Sequence, residues 1–102
     1  MANREIVEML KHYILVLRSE GIVIDQAYLY GSYLSNSATD ESDIYVLLVT
    51  ENEDDYLTGR IWSLTRKVNA RIEPFLVEHG RFFGEEDSPL IDLVKRTGLK
   101  IA

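Results

Sequence analysis

The run Ile44-Tyr45-Val46-Leu47-Leu48-Val49 constrains this chain more than any other stretch, being continuously apolar and of strand length. Successive side chains of a strand point to opposite faces, so a strand with one wet face alternates apolar and polar residues. A strand without alternation needs cover on both faces, as in the centre of a sheet with helices packed on it.

The rest of the chain supplies the cover. Ile6, Leu10, Tyr13, Ile14 and Leu17 recur at helical spacing over 4–20, and Gly21 is placed to end that helix. Val23 to Tyr30 is rich in β-branched and aromatic residues and halts at Gly31-Ser32, which reads as a strand. Asn52 to Asp55 offer caps for a second helix with the apolar stripe Leu57, Ile61, Leu64 and Val68. Residues 71–77 form a further strand, in which Pro74 cannot donate to a ladder and calls for an edge or a bulge. His79-Gly80 reads as a turn. Ser88 at the N-cap, Pro89 at the first helical position and Gly98 at the stop bracket a last helix, and Leu99 to Ala102 form a short extended tail. The expected fold class is α/β, an α+β sandwich with a small mixed β-sheet and helices packed on it. The expected organisation is a single domain over 1–102, without internal repeat or linker.

Composition removes several function classes. There is no cysteine, so thiolate metal sites and a Cys nucleophile are excluded. The formal net charge of −6 argues against direct nucleic-acid binding, which normally uses a basic face. No apolar run approaches the roughly 18 residues of a spanning helix, and the N-terminus is polar rather than leader-like. The expected location is cytoplasmic, with no membrane partner.

The stretch that can carry chemistry runs from Tyr28 to Val49. Gly31 directly follows a strand, where a missing Cβ lets backbone approach a ligand, and Ser32 adds a hydroxyl donor. Together they can form a phosphate cradle. Asp43 opens the apolar strand, and Tyr45 follows at the i+2 position on the same side. Glu73 lies in the third strand. If that strand pairs beside Ile44–Val49, Glu73 can converge on Asp43, giving a carboxylate site for Mg²⁺ and nucleotide chemistry.

Gly31-Ser32, ten intervening residues, then Asp43-Ile44 leading an apolar strand resembles the signature of the minimal nucleotidyltransferases of the polymerase-β-like superfamily. Tyr28-Leu29-Tyr30 is similar to that family's lead-in strand, and Arg71-Ile72-Glu73-Pro74 to the position of its third carboxylate. The resemblance covers nearly the whole chain. It implies a polymerase-β-like nucleotidyltransferase fold, Asp43 and Glu73 as catalytic and metal-binding residues, Gly31 and Ser32 as nucleotide-binding residues, and Mg²⁺ as cofactor. It further implies transfer of a nucleoside monophosphate, AMP from ATP, to a hydroxyl acceptor on a partner such as a HEPN-type helical protein, in toxin–antitoxin-like pairs.

The chain departs from that family at two places. Tyr45 stands where the second Asp of the Asp-x-Asp pair is expected; a phenol with a pKa of about 10 is neutral at pH 7 and a poor Mg²⁺ ligand. Asn36-Ser37 stands in the region where the family has a basic residue and Gly. Asp40 and Glu41 are candidates to substitute for the missing ligand. Three readings remain open at this level: an active nucleotidyltransferase; a catalytically impaired relative acting as a partner-binding, antitoxin-like module; and an unrelated small α/β domain in which Gly31-Ser32 is a turn and Asp43 and Glu73 need not meet.

Overall fold

The structure, a computed structural model, describes residues 4–33, 38, 42–84 and 88–102. Helix α1 (Arg4–Ser19) buries Leu10, Tyr13, Ile14 and Leu17, the i, i+3, i+4, i+7 stripe of one helix face. Gly21, with φ of 83°, donates its N–H to Arg18 O at 3.0 Å, and Ile22 donates to Leu17 O at 3.2 Å. This pair of bonds is a Schellman stop, with Ile22 and Leu17 both buried as its apolar contact.

Strand β1 (Ile24–Tyr30) pairs antiparallel with β2 (Ile44–Thr50), and β2 pairs parallel with β3 (Ile72–Glu78). The parallel pair needs a crossover, and α2 (Asp55–Val68) provides it. The α2 cap is Asp54, whose carboxylate accepts the Leu57 N–H at 2.7 Å. Pro74 sits on β3 at the edge of the sheet, as a residue without an N–H requires. Helix α4 (Pro89–Thr97) begins at the Ser88 hydroxyl, which accepts from Ile91 N–H at 3.3 Å, and ends at Gly98. Two-residue β4 (Leu99–Lys100) then closes the far edge against β1, giving the order β3-β2-β1-β4.

His79-Gly80 is not a turn. It opens the short helix α3 (His79–Phe83) directly after β3. The cause is a distant carboxylate: Glu53 accepts the Glu78 N–H at 2.6 Å and pairs with Arg81 at 3.0 Å. Acceptance of a free N–H by an anion at a helix start favours the helix.

The sheet divides the core in two. Ile44, Val46, Leu48 and Ile72 face one side, with the buried residues of α1 and Ile61 of α2. Leu47, Val49 and Val77 face the other, with Phe82 of α3 and Ile91 and Val94 of α4. In β2 every residue is buried except Tyr45, which is 39% exposed. Full burial of each such aliphatic side chain is worth about 1.5–3 kcal/mol, which is why the unbroken apolar run occupies the central position. Among the described residues, no helix is long and apolar enough to cross a membrane.

Candidate functional site

Gly31 ends β1 with φ of 91°, a left-handed conformation that glycine adopts without a Cβ penalty. Its Cβ-less side is occupied. A Cβ built there would lie 3.1 Å from Tyr45 Cδ2, tighter than most real Cβ contacts. Register explains the meeting, since Tyr45 pairs with Tyr30 across the β1–β2 ladder and thus stands beside the next residue, Gly31. The Tyr30 and Tyr45 ring centroids are 5.7 Å apart at a tilt of 32°. Burial first, and the adjacent Tyr45 phenol second, push the Tyr30 hydroxyl above its ordinary pKa.

On its other flank Tyr45 pairs with Glu73 of β3. Strand β3 therefore lies beside β2, as convergence of Glu73 on Asp43 requires, but the register gives Glu73 the tyrosine as its direct neighbour. Tyr30, Tyr45 and Glu73 form one rung across three strands. Asp43 is exposed and immediately precedes β2, next to the Ile44 N–H that donates to Arg71 O at 2.8 Å. Ser32 is partly buried beside Gly31. Among the described residues no group of three or more His, Asp or Glu side chains is arranged to hold a metal ion. Asp40, Glu41 and Asn36-Ser37 lie outside the described residues, as does most of the stretch after Tyr33.

One residue at this corner was not singled out from sequence. The Arg71 guanidinium donates to Ser42 O from Nε and from Nη2, both at 3.1 Å, and to the Tyr33 hydroxyl. It also lies 5.7 Å from the Tyr33 ring centroid. The available signal was its place two residues before Glu73, which puts it at the mouth of the β2–β3 pair. Its partners, 29 and 38 residues away in sequence, could not be read locally.

Clefts among the described residues lie elsewhere. A cleft of about 180 Å³, lined by Gly21, Glu51, Asp54, Tyr56 and Arg60, sits at the end of the β1–β2 pair opposite Gly31. A second of about 300 Å³ runs between α1 and the C-terminal residues, lined by Lys11, Ile14, Leu15, Arg18, Ile101 and Ala102. Neither includes Gly31, Ser32, Asp43, Tyr45 or Glu73.

No protein-family model matches the chain, and no curated protein matches it in sequence. Among solved structures, it is similar to a crystal structure from Sulfolobus solfataricus described as a "putative nucleotidyltransferase", with 16% identity and a TM-score of 0.55. The match covers 74% of this chain and 68% of that one. The likeness is one of fold: a small mixed sheet with helices packed on it, distantly resembling that structure.

Proposed function

We propose that this chain is a nucleotidyltransferase-like protein with impaired transfer chemistry, acting as a partner-binding, antitoxin-like module. The observation that carries this reading is the Tyr45 ring lying against Gly31. Where an acid would hold a metal beside the phosphate cradle, a neutral ring takes up the room the glycine leaves.

Remnants of a nucleotide site are still there to be used. Asp43 and Glu73 are the residues that would hold Mg²⁺, a hard cation that prefers oxygen ligands and often takes just one or two protein carboxylates. Bound there with a nucleoside triphosphate such as ATP, the cation would offset phosphate charge. Gly31 would offer backbone and Ser32 a hydroxyl to the phosphates. What Tyr45 removes is the acid that would help assemble a second cation, the one that activates an attacking hydroxyl in two-metal displacement. The partner such a module would engage is a protein, in the family's pattern a helical one of the HEPN class.

A second reading, active transfer of AMP from ATP to a hydroxyl, draws on a different observation. Both remaining carboxylates are kept, Asp43 exposed at the strand mouth and Glu73 one strand away. Incubation with Mg²⁺ and ATP labelled at the α-phosphate separates the two. The impaired reading expects no label on the protein or on an added helical partner. Label transfer by the unaltered protein, abolished by Asp43→Ala, would establish the active enzyme instead.

A further inference from the structure

We infer that Arg71 is the positioning residue of the Gly31–Asp43 corner, a clasp joining both ends of the segment between β1 and β2 and so fixing Ser32 relative to Asp43. The inference rests on the nucleotide reading only for its ligand-binding consequence; the clasp itself stands on geometry.

Tyr33 and Ser42 flank residues 34–41, and one guanidinium reaches both. It donates twice to the Ser42 carbonyl, each at 3.1 Å, and once to the Tyr33 hydroxyl. Its far anchor is firm, because Tyr33 is only 8% exposed and belongs to the larger core cluster. Its backbone is fixed as well. The Arg71 carbonyl accepts the Ile44 N–H at 2.8 Å, and the Arg71 N–H donates to Asn69 Oδ1 at 2.9 Å. Arg71 thus ties the first residue of β2 through its main chain and the residue before Asp43 through its side chain. Through Tyr33 it also holds the residue that follows Ser32.

The residue type matters. A planar guanidinium offers several N–H donors in a fixed fork and stacks on an aromatic ring, whereas lysine is a point charge on a flexible stem. Holding two chain positions as far apart in sequence as Tyr33 and Ser42 in one arrangement costs conformational entropy, and a multiply bonded fork is a means of offsetting that cost. Charge alone would not supply the geometry. Arg71→Lys keeps the charge and removes the fork; Tyr33→Phe keeps the ring and removes the hydroxyl acceptor.

The experiment combines amide hydrogen exchange with calorimetry. In Arg71→Lys, protection of amides at 31–33 and 42–44 is expected to fall about tenfold while the α1 core from Leu10 to Leu17 keeps its protection. Tyr33→Phe should loosen the same amides to a smaller degree, and it decides the question alone if Arg71→Lys does not fold. Unchanged exchange at both ends, or an equal loss across the whole chain, overturns the clasp. Calorimetry with Mg²⁺ and ATP then uses the Tyr45→Asp protein, with and without Arg71→Lys. An affinity loss of about tenfold on adding Arg71→Lys, or 1.4 kcal/mol, supports the positioning role. If Tyr45→Asp binds and Arg71→Lys leaves that affinity unchanged, the positioning role fails while the nucleotide reading stands. If Tyr45→Asp binds nothing but the local exchange rises, the clasp stands and the nucleotide reading fails.

Discussion

Gly31 carries two constraints at once, a left-handed backbone and a tyrosine ring against its open side. The first disfavours any side chain by roughly 1–2 kcal/mol. The second adds a steric cost only while Tyr45 is present. Gly31→Ala should therefore destabilise by about 2 kcal/mol or more, and by less when Tyr45→Ala is added. Urea denaturation of the two single variants and the double variant measures this coupling; strict additivity would show that the ring and the glycine do not bear on each other. The sequence made Gly31, Ser32, Asp43 and Glu73 candidates through spacing, and it exposed Tyr45 as a departure. It did not reveal that Tyr45 lies on Gly31, because that contact depends on the β1–β2 register. Nor did it reveal the Arg71 bonds, which join residues far apart in the chain.

Elements with strong local punctuation were legible, and those formed by distant contacts were not. Ser88, Pro89 and Gly98 bracket α4 within the sequence itself, and Gly21 announces the end of α1. Helix α3 was missed because the carboxylate that accepts at its start belongs to Glu53, on the approach to α2. The two helices on the other face have their own long-range tie. Tyr13 of α1 donates to Thr65 Oγ1 of α2 at 2.7 Å, and the Thr65 hydroxyl donates onward to Ile61 O at 2.6 Å. Burial pushes the Tyr13 phenol up to about 12 from its ordinary 10. The folded protein then holds this proton more tightly than the unfolded chain. The stabilisation is complete below pH 10 and is lost as pH rises towards 12, a span on the order of 2–3 kcal/mol. Tyr13→Phe should cost about 1 kcal/mol at pH 7 and flatten the fall in stability between pH 10 and 12. Denaturation midpoints of both proteins across that range check it; parallel pH profiles would contradict it.

At the scale of the molecule, one apolar run foretold the arrangement, since β2 is central and covered from both sides. Within that run Tyr45 is the one residue left exposed, which the unbroken apolar pattern does not show. The sheet sets Tyr45 between Tyr30 and Glu73, with Gly31 beneath its ring edge and Asp43 two residues before it. On the reading proposed above, the single side chain of Tyr45 closes the corner at which a nucleotide would otherwise bind. Calorimetry with Mg²⁺ and ATP on the unaltered protein and on Tyr45→Asp tests this most directly. The account predicts weak or undetectable binding to the former and at least about tenfold tighter binding to the latter, lost again when Asp43→Ala is added. Equal affinity in all three proteins would contradict it.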